Sequence, residues 1–199
     1  MYLSKIELNI RHPSVRQALT DCHDMHRNVQ KWFGSARAEN KVLYRLYSGR
    51  DKLSLYIFSE KRPENVESGG RLIACKDMTW LEDDFNPGRR YCFDLLAAPS
   101  KKVRGEGKNS RRRAIRDSQG LLEWLERKGQ QSGFEILGVQ ISPGGTVYGR
   151  RSGDKIIFDS VHYSGMLRVD DKEKFIRAWK NGIGPEKAYG MGLMMLLER

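Results

Sequence analysis

Apolar positions at the start of the chain alternate, with Ile6, Leu8 and Ile10 set against Lys5, Glu7 and Asn9. A period of two marks a half-buried strand over residues 3–10. The period then changes. Val15, Leu19, Cys22, Met25 with His26, Val29 and Phe33 fall on one stripe, which predicts a single helix over 14–33. Pro13 suits its first turn and Gly34 its end. Alternation returns over 41–48 and 52–59, in stretches rich in Val, Leu, Tyr, Ile and Phe. Ser48-Gly49-Arg50-Asp51 reads as the hairpin turn between them. Residues 63–70 leave room for a short helix, and 72–80 for a fourth strand.

The order repeats after Asn86-Pro87-Gly88. Residues 91–97 read as a strand and 118–129 as a helix with Leu121, Leu122 and Leu125 on one face and Gly129 as its cap. Strands are expected at 134–141 and 155–168, with Pro143-Gly144-Gly145 as a turn and a short strand in 146–152. Asp170 and Glu173 have capping-box spacing ahead of a helix that buries Phe175, Ile176 and Trp179. A strand over 192–197 closes the chain. Each half reads β-α-β-β-α-β. The expectation is an α+β protein of tandem ferredoxin-like (RRM-like) βαββαβ domains, 1–86 and 87–199.

Charge changes the picture next. Thirty-six Lys and Arg against 25 Asp and Glu give +11 and a pI near 9.7. That balance favours a polyanionic partner, nucleic acid before a membrane surface. Three scattered cysteines without a C-x-x-C point to a reducing compartment, with neither a disulfide framework nor a cysteine zinc site. No apolar run approaches a membrane span and no signal-peptide pattern opens the chain, so a cytoplasmic protein is expected.

Four segments carry candidate chemistry. Residues 182–192 hold four glycines, at 182, 184, 190 and 192, with Pro185 and Lys187. Exposed N–H groups of such a turn suit an anion, although the same residues also suit a tight helix-to-strand connection. The spacing is neither that of a P-loop nor that of a dinucleotide fingerprint. His23 and His26 stand three apart, on one helix face. They can act as acid and base, contact phosphate or pack in the core; as a metal pair they lack a third ligand at motif spacing. Residues 101–117 hold eight cations (Lys101, Lys102, Arg104, Lys108, Arg111, Arg112, Arg113 and Arg116) against two acids, over half the net charge of the chain. This reads as a flexible or hairpin-like basic arm for phosphates and guanine edges. Arg150, Arg151 and Lys155 form a second basic cluster beside turn residues, able to offset charge on a reacting phosphate or to serve as a polar hairpin tip. Glu82-Asp83-Asp84 reads as a solvated loop, and Tyr44, Tyr47, Tyr56 and Phe58 mainly as core.

Histidine without a metal set, next to an anion cradle and two basic clusters, points to a ribonuclease that uses the RNA's own 2′-hydroxyl as nucleophile. A non-catalytic RNA-binding module fits the composition, the arm and the glycine loop equally well.

Several segments also carry a likeness in chain order: Met1-Tyr2-Leu3-Ser4-Lys5-Ile6, Asp24-Met25-His26 followed by Trp32-Phe33, Tyr163-Ser164-Gly165-Met166-Leu167, and the run from Gly182 to Leu193. On these residues the chain resembles CasE, the CRISPR repeat endoribonuclease family of type I-E Cascade. The resemblance implies a protein that binds the repeat stem-loop and cuts precursor CRISPR RNA at the 3′ base of the stem. It does so without metal or cofactor, leaving a 2′,3′-cyclic phosphate and a 5′-hydroxyl, and then stays on the product beside other Cascade subunits. Target DNA is met only through that complex. His26 falls on the family's catalytic histidine. His23 falls where members commonly carry tyrosine, a departure that puts a phenol-assisted role in doubt. Arg150, Arg151 and Lys155 are candidates for the family's cation at the scissile phosphate, and we carry Lys155 forward with His26 and His23 as catalytic. The basic arm resembles the family's groove-entering hairpin. RNA contacts are expected from its eight cations, from Arg150 and Arg151, and from Gly182, Gly184, Lys187, Gly190 and Gly192 of the glycine loop.

Overall fold

The computed structural model describes residues 1–34, 41–49, 52–103 and 111–197, apart from the Arg111 side chain. The first alternating stretch forms β1 (Tyr2–Leu8), which ends before Ile10 and leaves that residue exposed. The expected single helix over 14–33 is two: α1 (Pro13–Thr20) and α2 (Cys22–Lys31). The break falls at Asp21, whose backbone is extended at φ −140° and ψ 114°. Its carboxylate takes up the free N–H groups of His23 and Asp24, so a new helix starts there. Leu19, expected on the buried stripe, is consequently 40% exposed.

Strands β2 (Leu43–Ser48), β3 (Leu53–Ser59) and β4 (Gly70–Asp77) complete an antiparallel sheet ordered β2-β3-β1-β4. No helix forms over 63–70. That segment is fixed instead by the Trp32 indole N–H donating to the Glu67 carbonyl at 3.2 Å, and by Asn9 N–H donating to the Gly69 carbonyl at 2.7 Å. The expected solvated loop at 82–84 is a short helix, α3 (Leu81–Asp84). Leu81 is buried and Glu82 pairs with Lys180 at 2.7 Å.

The second sheet has the order β10-β5-β9-β8. It consists of β5 (Arg90–Ala97), β8 (Phe134–Arg151), β9 (Asp154–Val169) and β10 (Met194–Leu197). In chain order both sheets follow the ferredoxin-like pairing, with the first and third strands central. Between β5 and β8 lie the hairpin of β6 (Ser100–Val103) with β7 (Arg111–Ala114), and α4 (Ser118–Ser132). Helix α5 (Lys172–Asn181) follows β9. Three local expectations are corrected. Pro143-Gly144-Gly145 is a bulge inside β8 rather than a turn, which an edge strand tolerates. Helix α4 runs past Gly129, where a side chain would strike the Phe134 carbonyl, and stops at left-handed Gly133. Helix α5 is capped by Asp171, which accepts from Lys174 N–H at 3.0 Å, and not by the Asp170–Glu173 pair.

The two sheets share a core. Leu43 and Phe58 of the first lie in one cluster with Phe85, Tyr91, Phe93, Trp124, Phe175 and Trp179. The Phe58 and Trp179 rings are 4.5 Å apart. Buried Arg45 of β2 also meets Asp94 of β5, which accepts from or pairs with His162 of β9 at 2.7 Å. Tyr44 and Phe58 are buried, as expected for core aromatics; Tyr47 and Tyr56 are only partly so.

Candidate active site

Asp21 positions the histidine helix. Besides capping α2, its other carboxylate oxygen accepts from the backbone N–H of Arg150 in β8 at 3.1 Å. The start of α2 is thereby tied to the long β8–β9 ribbon. His23 and His26 then face the same way, with ring centroids 6.2 Å apart. His26 is 8% exposed and His23 is half-buried. Tyr189 meets both imidazoles edge-on, at 6.5 and 6.2 Å between centroids, with Phe158 tilted against it at 6.2 Å.

Tyr189 arrives on a 3-10 turn, Lys187–Tyr189, inside the glycine stretch. Tyr189 N–H donates to Glu186 O at 2.9 Å, and Ile183 N–H donates to Gly192 O at 2.9 Å, so the stretch closes on itself. Gly192 has φ 84°, and a side chain there would strike the Ile183 carbonyl, so only glycine fits this closure. Two outside contacts pin the loop: the Tyr44 hydroxyl donates to Ala188 O at 2.9 Å, and Gly192 N–H donates to Leu96 O at 2.8 Å. One anchor comes from each sheet.

The loop and the histidines enclose a cavity of about 480 Å³, lined by His23, His26, Arg151 and residues 184–189. Gly184, Pro185 and Lys187 also line an adjoining groove of about 550 Å³ with Arg112, Lys128, Gln131, Lys174, Arg177 and Asn181. That groove has five cations on its walls and, among the described residues, no carboxylate. Lys174 and Arg177 have partners on their own helix turn, Asp171 at 2.9 Å and Glu173 at 3.7 Å. Burial, and then the neighbouring Lys128, hold the Lys187 ammonium below the ordinary lysine pKa. Burial, followed by Arg127 and Arg112, does the same to Lys128.

The hairpin is self-repelling. Lys101 stands opposite Arg113 and Lys102 opposite Arg112, like charges directly across an antiparallel pair. An anion laid along it relieves that repulsion. Arg104 and Lys108 lie outside the described residues, as does the Arg111 side chain. Arg116 is engaged with Asp159 at 2.8 Å. Of the second basic cluster, Arg151 lines the histidine cavity, whereas Arg150 and Lys155 are exposed partners on the ribbon. Gly182 and Gly184 line the groove, while Gly190 and Gly192 are buried in the loop closure.

Tyr189, Lys128, Lys174 and Arg177 went unforeseen. The last two recur with Asn181 at spacings of three and four opposite Phe175 and Trp179, a polar-face pattern that was present in the sequence. Cys22, beside His23, is pushed up to about 11, chiefly by burial and then by Asp21, so its thiol is protonated at neutral pH. Among the described residues no group of three or more His, Cys, Asp or Glu is arranged to hold a metal ion. What the site can do is move protons between paired imidazoles and a polyanion held by cations.

The fold and the site thus define a tandem ferredoxin-like protein with a histidine pair facing a basic, glycine-rich loop. A family model described as CRISPR associated protein matches residues 1–197, and the chain belongs to that family. It is 26% identical to the CRISPR-associated endoribonuclease Cse3 of Thermus thermophilus, over 98% of each chain. The structure of Thermus thermophilus Cse3 bound to an RNA representing a pre-cleavage complex superposes with a TM-score of 0.83 at 27% identity, covering 99% of this chain and 98% of that one. Cas6e from Escherichia coli shares the fold, with a TM-score of 0.79 at 20% identity over the full length of both chains. No helix among the described residues is long and apolar enough to cross a membrane.

Proposed function

We propose that this chain is an endoribonuclease that binds a CRISPR repeat stem-loop and cuts precursor CRISPR RNA by metal-independent 2′-hydroxyl attack. The observation that carries the reading is the junction, through Lys187, of the His23–His26 cavity with a groove whose described walls carry five cations. Its similarity to a curated endoribonuclease over nearly the whole chain supports the same reading.

In the reaction, O2′ forms a bond to phosphorus as the bond from phosphorus to O5′ breaks. One imidazole takes the 2′-OH proton, and a proton passes to the departing O5′. The products are a 2′,3′-cyclic phosphate and a 5′-hydroxyl. His26, backed by core, and His23 beside it are the proton-transfer groups. The hairpin cations and the groove residues Lys128, Lys174 and Arg177 grip the phosphates of the stem, whose deep major groove favours recognition by shape and charge. The division into units 1–86 and 87–199, retention on the product beside other Cascade subunits, and action in the cytoplasm belong to the same proposal.

The test is incubation with the CRISPR repeat RNA in EDTA, comparing wild type with His26→Ala. Wild type alone is expected to cut. A 2′-deoxy nucleotide at the cleavage position is expected to block cutting and spare binding. Tight binding without cutting by either protein makes the chain a non-catalytic RNA-binding subunit instead.

A further inference from the structure

We infer that Lys187, and not Lys155, supplies the cation at the scissile phosphate, an inference that rests on the proposed cleavage reaction. Attack by O2′ builds negative charge on the two non-bridging oxygens. A cation stabilises that charge best when it is already in place and partly withdrawn from water. Two histidines on one helix face also need a counterpart from another element across the reacting phosphate.

Among the described residues, two cations line the histidine cavity, Arg151 and Lys187. Strand geometry disqualifies Lys155. Successive residues of a strand face opposite sides, and cross-strand partners share a side. Arg151 lines the cavity and is paired with Asp154; Arg150, its neighbour, is paired with Lys155. Lys155 therefore projects from the other face of the ribbon, into solvent. Arg151 is exposed, next to the turn at the tip of the ribbon.

Lys187 is the more buried of the two cavity cations. It is half-buried and makes no ion pair among the described residues, although Glu186 lines the same cavity. The charge that acts on it most is another cation, Lys128. An ammonium drawn partly out of water with no carboxylate at ion-pair distance is complementary to a ligand anion. Its backbone is fixed: the turn that carries it is pinned by the Tyr44 hydroxyl at the next residue, and the Tyr189 ring two residues on touches both imidazoles. Cation and histidines are thus held as one unit. Lys187 also lines both the groove and the cavity, so a strand running along the groove meets it on the way to the histidines.

The experiment is single-turnover cleavage of saturating repeat stem-loop RNA by wild type, K187A, K187Q, K187R, K155A and H26A. Losing one positioned donor of this kind costs about 100- to 1,000-fold in rate. K187A and K187Q are expected to lose that much while RNA affinity changes less than about fivefold, by the same principle of selective transition-state binding. K187R is expected to recover part of the rate, and K155A to cost at least about tenfold less than K187A. A phosphorothioate at the scissile position supplies a readout that a structural role would not move. Wild type is expected to cut its two diastereomers at different rates, and K187Q to lose most of that difference. Two variants that cut at the wild-type rate, or a larger loss in K155A than in K187A, overturn the inference while leaving the cleavage reaction standing. RNA bound but uncut by wild type removes the reaction and the inference together.

Discussion

Replacing Asp21 by alanine tests whether the histidine helix is placed by its cap. The carboxylate accepts from His23 N–H at 2.8 Å and Asp24 N–H at 3.4 Å, and from Arg150 N–H at 3.1 Å across 129 residues of chain. Loss of a helix cap costs about 1 kcal/mol. Loss of a hydrogen bond to a charged acceptor costs about 1.5 kcal/mol at the exposed end of its range. The sum, near ~2.5 kcal/mol, corresponds to a Tm lowered by about 5–10 °C for a chain of this size. Such a protein is still folded at 25 °C, since typical stabilities are about 5–15 kcal/mol. Cleavage measured there reports placement and not unfolding. A displacement of about 1 Å at reacting groups costs on the order of 100-fold, so the rate is expected to fall far more than the folded fraction does. Asp21→Asn separates the two contacts, because asparagine caps as well as aspartate but has one acceptor oxygen, so the cap is kept and the bond from Arg150 N–H is lost. Thermal unfolding and single-turnover cleavage of both variants decide the matter. An Asp21→Ala protein with unchanged Tm and unchanged rate would show that Asp21 does not place the helix; an Asp21→Asn protein as slow as Asp21→Ala would assign the effect to the tie to Arg150 and not to the cap.

Three further outcomes are expected. Asp94→Ala leaves the buried Arg45 guanidinium without its carboxylate and is expected to cost about 3 kcal/mol in urea unfolding, as removal of one partner of a buried pair does; a loss below about 1 kcal/mol refutes it. Lys187→Met is expected to stabilise the protein at pH 7 while slowing cleavage. Burial depresses the folded-state pKa, so the cost of the charge is fully present below that folded value and fades as pH rises toward the ordinary lysine pKa. Urea midpoints of the two proteins should converge between pH 7 and the alkaline range, and parallel midpoints sink the argument. Cys22, with a pKa of about 11, is expected to alkylate at pH 8 at least about tenfold more slowly than a free model thiol, in protein whose Cys75 and Cys92 are serine. A rate equal to that of the model thiol refutes its protonated state.

The strands were legible because their alternation is local. The break at Asp21 was not, because the apolar stripe of α1 and α2 keeps its period across it. What breaks the helix is a carboxylate whose third partner lies in β8, and no window of sequence contains that bond. Pro143-Gly144-Gly145 carried a true signal for distortion but not for its kind, since a bulge at a sheet edge and a turn use the same residues. At the site, the histidine pair and the glycines were visible through spacing. Tyr189 was not, because no spacing relates it to the histidine helix, and only the closed loop turns its ring onto both imidazoles.

Neither half of the chain holds a complete site. The first supplies the two histidines on α2, and the second supplies the glycine loop, Arg151 and the basic groove. Their alignment rests on a few crossing contacts: Asp21 to Arg150 N–H, Tyr44 to the Ala188 carbonyl, Arg45 to Asp94, and Phe58 on Trp179. Tyr44 and Arg45 are neighbours on β2, so one strand points a hydroxyl at the glycine loop and a guanidinium at the sheet behind it. A rotation between the sheets would therefore break the loop anchor and the buried ion pair together. The distance between the histidines and Lys187 is set by the packing of the two sheets, which the buried Arg45–Asp94 pair and the shared aromatic core between the halves hold in place.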